Sequence, residues 1–373
     1  MKLLPLRSAS ILLGAFFLSV SSCRKESSST SWSNSSAAQA EASLPTATPT
    51  ETAETPAAPV APSEPAAPAA PTVPAAATTP AAETPAAPPA PAVAPESPEN
   101  PQVRFIAYNV ENWLTMDRYE NNRPVGEGSK PEKEKQAVID ILVRHRPDII
   151  GLSEIGTEDD LKDIQTRLKA AGLDLPHAFH TGGADEVRHL GMLSKFPFVK
   201  TTPHTDLTYQ LEGKQFGMGR GVLDAVVDTP VGPVHFLGAH LKSKREIPEA
   251  DQEMMRRAEA HLLRKVADGV LNENPGTLMV VYGDMNDTRQ ASAIRTIQGP
   301  RDGPLSLKMA WLKDRNGHTW THHWDYQDVY SRFDYALVST PMLDRMIWND
   351  CKVIDDPDVA NASDHRPLLV IFE

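Results

Sequence analysis

The chain has 373 residues and a formal net charge of −12, with 33 prolines and two cysteines. The segment before Gln102 contributes −4 of that charge and nearly all of the Pro and Ala excess, which leaves −8 on about 270 residues suited to one α/β domain with a sizeable core. So acidic a domain does not look like a tight non-specific nucleic-acid binder, which would neutralise phosphates with Lys and Arg; clustered carboxylates also arise where a site holds divalent cations, so the balance weakens a nucleic-acid reading without excluding it. With Cys23 at a processing site, a structural disulfide with Cys351 is not expected.

In chain order, residues 1–23 carry Lys2 and Arg7, an apolar centre from Ile11 to Leu18, and small residues before Cys23. This is the layout of a signal peptide, too short to anchor by spanning. Small residues directly before Cys resemble the bacterial lipobox, which implies export, lipid attachment at Cys23 and tethering to a membrane surface; a plain secretory signal is the alternative. Arg24 rather than Asp follows the cysteine, which by resemblance to Gram-negative sorting favours the outer membrane, facing the periplasm or the cell surface. Residues 24–101, Ser-rich and then a Pro/Ala/Thr/Glu tract, hold too few large apolar side chains to offset the entropy of ordering and read as a disordered, semi-stiff spacer.

The domain proper, 102–373, opens with an alternating apolar run, Val103 to Asn109, that predicts a strand. Helical spacing of Val138, Ile141, Leu142 and His145 predicts a helix over 132–145, closed by Pro147. Asp148 to Glu154 reads as a buried strand ending in an acid, and Leu161, Ile164, Leu168 and Ala171 as a helical stripe stopped by Gly172. Strands follow at Leu190 to Ser194, Gly221 to Val227 and Val234 to Ala239, the last two joined by the turn Thr229-Pro230-Val231-Gly232. Residues 249–272 form the longest helix, with Met255, Ala258, Leu262, Val266 and Val270 expected inward and charges outward. Thr277 to Tyr282 is the next strand, with Gly283 expected to turn the chain and Asp284 and Asn286, two apart, on one side. By itself this stretch also fits a polar loop closing a buried strand. Further apolar runs are Phe333 to Val338, Arg345 to Val353 and Leu368 to Phe372.

Polar residues recur at strand ends: Asn109, Glu154, His240, Asp284 and Asn286, with Asp364 and His365 beside a strand start. If those strands lie side by side, their ends gather at one rim, as sites in α/β proteins do. In order, Tyr108-Asn109-Val110-Glu111-Asn112, Gly151-Leu152-Ser153-Glu154-Ile155, Gly238-Ala239-His240-Leu241-Lys242-Ser243-Lys244, Gly283-Asp284-Met285-Asn286-Asp287, Arg332-Phe333-Asp334-Tyr335 and Ser363-Asp364-His365-Arg366-Pro367 resemble the blocks of the endonuclease/exonuclease/phosphatase superfamily, in its deoxyribonuclease I-like form, over residues 103–373.

That resemblance implies an α/β fold, a four-layer sandwich of two face-to-face mixed β-sheets flanked by helices. It also implies a metal-dependent phosphodiester hydrolase, most simply a DNA endonuclease outside the cytoplasm, with a phosphatase or phospholipase acting on inositol phosphates or sphingolipids, or an inactive cell-surface binding module, as rivals. A phosphodiester repels hydroxide, so a divalent cation must draw charge from its oxygens; hard donors suit Mg²⁺, with Mn²⁺ or Ca²⁺ as substitutes. Carried over by resemblance, Glu154 is the principal metal ligand, with Asn109 and Asp364 completing the shell. Asp284 positions and deprotonates water or shares a second metal. Asn286, Asn109 and Arg220 hold phosphate oxygens, His365 is oriented by Asp334, and His240 is the second histidine. The basic run Lys242 to Arg245 is either a backbone-binding patch or a solvated turn. His318, His322 and His323 lack the partners of a tetrahedral zinc set. The expected partners are a nucleic acid, DNA in the first instance, and a membrane through the lipid; the protein is expected to act as a monomer.

Overall fold

The computed structural model describes residues 101–120 and 123–373. The leader with Cys23 and the spacer up to residue 100 lie outside the described residues. Two six-stranded mixed sheets make the frame. The first has the order Lys352–Val353, Leu368–Phe372, Val103–Trp113, Ile149–Ile155, His189–Ser194 and His177–Thr181; the second has Leu307–Met309, Asp334–Ser339, Leu278–Asp284, Gly232–His240, Val222–Thr229 and Phe198–His204. Each sheet holds one parallel pair among antiparallel neighbours: Val103–Trp113 with Ile149–Ile155, and Gly232–His240 with Leu278–Asp284. The four strands of those pairs end at Trp113, Ile155, His240 and Asp284, close to the polar residues singled out in the sequence.

Burial explains the uninterrupted apolar runs. Val280 and Tyr282 face the core between the sheets, while Met279 and Val281 face a second core beneath the long helix, so both strand faces must be apolar. Phe105 centres the first core, its ring 4.9 Å from those of Phe236 and Tyr282. Tyr282 fits because Gly151 and Gly238 flank it: a Cβ on Gly151 would stand 2.1 Å from the tyrosine ring.

The helices Glu132–His145, Glu158–Ala170 and Gln252–Glu273 lie where the periodicity places them. The inward face of the last differs from expectation. Leu263, Ala267 and Leu271 are buried, with Leu262, Val266 and Val270 on the flank, and Arg256, Glu259 and Arg264 are buried as well. The buried charges pull the helix about one position round from its apolar stripe because each has internal partners. Arg256 pairs with Asp287, and Glu259 accepts the Gly219 and Lys242 amides.

Other expectations also change. Of Arg345 to Val353, only Lys352–Val353 is strand. Strand structure falls on His322–Trp324, one residue beyond Trp320-Thr321. Gly283 does not end its strand; it allows close approach, since at φ 129° a Cβ would stand 2.0 Å from the Ala239 carbonyl oxygen. The extended chain likewise does not continue to Asn286, which turns into the left-handed region at φ 50°. Among the described residues, no helix is long and apolar enough to cross a membrane.

Candidate active site

The centre is one oxygen, Oδ2 of Asp284. Parallel pairing sets His240 opposite Asp284, and antiparallel pairing sets Asp334 opposite it on the other side. His240 Nε2 lies 3.5 Å and His365 Nε2 3.6 Å from this oxygen. Asn109 Nδ2 donates to it at 3.1 Å and Asn286 Nδ2 at 3.4 Å. The other oxygen, Oδ1, accepts the Asn286 amide at 2.8 Å, which stabilises the left-handed turn. Burial pushes the Asp284 carboxyl up to about 7, with the charge of His365 opposing and that of Asp334 assisting. A carboxylate poised there suits general-base work near neutral pH.

The two histidines differ in charge. Burial lowers both, and for His240 the positive charges of Arg220, His365 and Arg188 add to it, so its imidazole is neutral and its buried Nδ1 lacks a partner. For His365, Asp334 and Asp284 overcome burial and raise it well above the ordinary value. Its Nδ1 lies 2.7 Å from Asp334 Oδ2, which fixes the ring and leaves Nε2 facing Asp284. The Ser363 hydroxyl accepts the His365 amide at 3.0 Å and donates to the Asn109 carbonyl at 2.8 Å, tying this segment to the first strand.

Glu154 lies across the rim. Its Oε1 accepts from Asn109 Nδ2 at 3.2 Å, so one amide links Glu154 of the first sheet to Asp284 of the second. Its Oε2 accepts the Asn112 amide at 2.9 Å, with Arg188 Nε 4.0 Å away. Glu111, Asn112 and Glu154 all take positive φ at a bulge in the strand pairing, a concentration of backbone strain that aims their side chains. Burial, then the charge of Asp364, pushes the Glu111 carboxyl up to about 7, with Glu154 also contributing. Glu111 Oε2 accepts the Asp364 amide at 3.2 Å, and the Asp364 side chain is 41% exposed.

Glu111 and Glu154 on a strained bulge, with Asp364 beside Glu111, are acids that repel one another and fit a hard divalent cation. Among the described residues, the acid and histidine groups whose ligand atoms all lie within 4.8 Å of one another are His322–Asp364–His365 and Asp284–Asp334–His365. His365 is committed to Asp334 through Nδ1, and the Glu111–Glu154 side offers carboxylates free of a histidine. On that side Asn109 directs its amide hydrogens at two carboxylates, and its Oδ1 accepts the Glu111 amide at 3.0 Å.

Arg220 is buried between His240 and the loop carrying Asp185, whose Oδ2 lies 3.3 Å from its Nε. Asn286 also donates to the Leu241 carbonyl at 3.1 Å, which locks the loops after the two central strands together. Lys244 is engaged by Asp287 at 3.0 Å, and Lys242 by the carbonyls of Ser243 and Arg245. The histidine trio diverges: His318 pairs with Asp314, His323 with Asp328, and His322 sits 3.6 Å from Asp364 with its ring 4.7 Å from that of His365.

Glu111, Arg188 and His322 join the site without a role in the strand-end pattern or the family blocks. The spacing of Glu111, two after Asn109, was a usable signal. Arg188 carries none, since only folding brings its Nε 2.8 Å from Asn112 Oδ1.

Fold and site together define a sandwich enzyme with acids and histidines converging at the ends of its central strands. The profile of the Endonuclease/Exonuclease/phosphatase family matches residues 125–365, and the chain belongs to that family. Its members are divalent-metal-dependent hydrolases of phosphodiester bonds. Among solved structures, the chain is similar to the endonuclease/exonuclease/phosphatase from Bacteroides vulgatus at 17% identity, covering 74% of this chain and 99% of that one with a TM-score of 0.51. It is similar to the human Nocturnin catalytic domain with bound sulfate anion at 14% identity, 73% and 94% coverage and a TM-score of 0.51. A third is the endonuclease/exonuclease/phosphatase family protein from Leptotrichia buccalis, at 15% identity, 73% and 99% coverage and a TM-score of 0.50. These likenesses establish the fold. No curated protein matches the chain.

Proposed function

We propose that the protein is an exported, lipid-anchored phosphodiesterase of the bacterial cell envelope that cleaves DNA with Mg²⁺, working as a monomer. The observation that carries the hydrolytic reading is the convergence of two buried histidines of opposite charge on Asp284 Oδ2, with Asn109 linking that carboxylate to Glu154. Glu154, Glu111, Asp364 and the Asn109 oxygen would hold the cation, with Mn²⁺ or Ca²⁺ as substitutes. When bound, it supplies charge that offsets the negative phosphate oxygens.

The chain's own residues do the rest. Asp284 orients the attacking water and takes its proton. His365, protonated and held by Asp334, donates from Nε2 to a phosphate oxygen. His240, neutral, can donate a hydrogen bond to a second oxygen without adding charge, and Arg220 behind it supplies the positive field. Asn286 keeps Asp284 Oδ2 aimed and stands beside the phosphate. Lipid attachment at Cys23 and the 24–101 spacer would hold the domain off an outer-membrane surface.

The test is nicking of supercoiled plasmid by the purified protein with Mg²⁺, with and without chelator. Asp284→Ala and His365→Ala should each abolish most turnover while leaving the fold intact. Absence of nicking together with phosphate release from an inositol phosphate or sphingolipid would overturn the DNA assignment, and inertness towards every ester would favour a binding module.

A further inference from the structure

Just beyond Asn286 the chain reaches Arg289, whose guanidinium carbon lies 4.7 Å from the centre of the Trp311 ring. Arg332 approaches the same ring at 5.0 Å. Trp311 is 44% exposed, whereas Arg332 is only 9% exposed. Contact with an indole contributes about 0.5–2 kcal/mol, less than the hydration a buried guanidinium gives up. Only Nη2 of Arg332 has an acceptor, the Ala310 carbonyl at 3.0 Å, while Nε and Nη1 are buried without partners. Neither arginine is ion-paired with a carboxylate among the described residues. Burial pushes the Arg332 guanidinium below its ordinary value; Tyr335, whose ring lies 5.1 Å away, and Asp334 oppose this, while the like charge of Arg289 adds to it. Two unpaired cations held against one exposed indole form a place that lacks an anion.

Its position relates it to the catalytic centre. Tyr335 donates its hydroxyl to the Asp287 carbonyl at 3.0 Å and the Arg332 carbonyl at 2.9 Å, fastening the two arginine-bearing segments together. Arg289 follows Asn286 by three positions, about 11 Å at full extension. A cavity of about 680 Å³ lined by Lys244, Arg245, Asn286, Thr288 and Phe333 reaches the residue next to each arginine, Thr288 before Arg289 and Phe333 after Arg332. On a domain with a charge of −8, two arginines without a carboxylate partner, each one residue from a cavity that Asn286 lines, suit a substrate with more than one phosphate.

We propose that Arg289, Trp311 and Arg332 form a second phosphate subsite, which holds a neighbouring phosphate of a single-stranded polynucleotide while hydrolysis proceeds at Asp284. This rests on the nuclease reading above and deepens it. A phospholipid diester has a single phosphate and leaves the subsite empty; an inositol polyphosphate shares the required chemistry.

The test measures binding and hydrolysis separately in the full chain. Binding of a short fluorescent single-stranded DNA oligonucleotide is followed by anisotropy in EDTA, with inositol hexakisphosphate as competitor. Hydrolysis of bis(4-nitrophenyl) phosphate with Mg²⁺ is the small-substrate control. Arg289→Ala and Trp311→Ala, both at exposed positions, should weaken oligonucleotide binding about tenfold, and Arg289→Ala should lower the salt slope by about 0.7. Hydrolysis of the small diester should stay unchanged. The subsite is refuted by variants that bind like the parent, by a parent that does not bind DNA, or by inositol hexakisphosphate binding in place of the oligonucleotide. A matching fall in small-diester hydrolysis also refutes it, since the residues would then serve the catalytic centre. A parent that binds DNA through Arg289 yet hydrolyses nothing upholds the subsite and sinks the phosphodiesterase reading instead.

Discussion

Replacing Asp334 with Asn removes one charge and little else, because an amide oxygen can still accept from His365 Nδ1 over the observed 2.7 Å. In the parent, burial favours neutral His365, and Asp334, Asp284 and Asp364 together reverse that preference. The raised value means that the protonated ring persists through neutral pH and is lost as pH rises through it, so activity that needs the proton has its alkaline limb above the ordinary histidine range. Asp334→Asn takes away the largest opposing charge and leaves burial in place, so the limb must move to lower pH. A neighbouring charge at this distance shifts a titration by about 1–3 units, or about 10- to 10³-fold in rate on the alkaline side at one decade per unit. The assay is kcat/KM against pH for bis(4-nitrophenyl) phosphate with Mg²⁺, with a thermal melt to confirm folding. An alkaline limb that stays in place, with rates within about threefold of the parent, would refute the role given to His365.

Chelation should abolish hydrolysis and Mg²⁺ restore it, and Asn109→Ala, which leaves Glu154 and Asp284 without their shared donor, should weaken Mg²⁺ binding about 10- to 100-fold by titration calorimetry; unchanged affinity would place the cation elsewhere. Gly283→Ala should cost about 3 kcal/mol or more, because its Cβ would meet the Ala239 carbonyl at 2.0 Å in a backbone conformation alanine resists; an unshifted denaturant midpoint would contradict that contact. Away from the site, burial would raise the Asp224 carboxyl, but hydrogen bonds from His204 and His235 outweigh it and pull it down to about 2. Since its folded value is depressed, the stabilisation is present above the ordinary carboxylate range and is lost as pH falls from about 4 to about 2. Asp224→Asn should therefore lower stability by at most about 2 kcal/mol at pH 7 and by nearly nothing at pH 2; equal losses at both would remove the charge from the explanation.

The framework strands were legible because each is buried on one or both faces, which leaves an apolar run that stops where the polar rim begins. Glu154, His240, Asp284 and His365 stand where those runs end or begin, so their gathering at one rim was legible once the strands lie side by side, while the role of each came from the family resemblance. What periodicity missed has a common cause. Arg256, Glu259 and Arg264 look solvent-facing in sequence, yet each is buried by a partner far along the chain, and the long helix turned with them. Glu111 and Asn112 owe their directions to left-handed backbone at a bulge, and His322 to a hairpin that meets His365; neither leaves a periodic trace. Gly283 was recognised as necessary for the wrong reason, since a turn and a close approach call for the same residue.

Asn109 belongs to one sheet and Asp284 to the other, so the hydrogen bond between them crosses the seam of the sandwich. The catalytic spacing therefore acts as a vernier on sheet alignment, with Phe105, Phe236 and Tyr282 setting the zero. A slip of a few tenths of an ångström at that aromatic wedge would leave both sheets intact by any spectroscopic measure and still misalign Glu154 against Asp284. Hydrolysis should thus fade before the fold melts, and turnover becomes a finer gauge of core packing than stability.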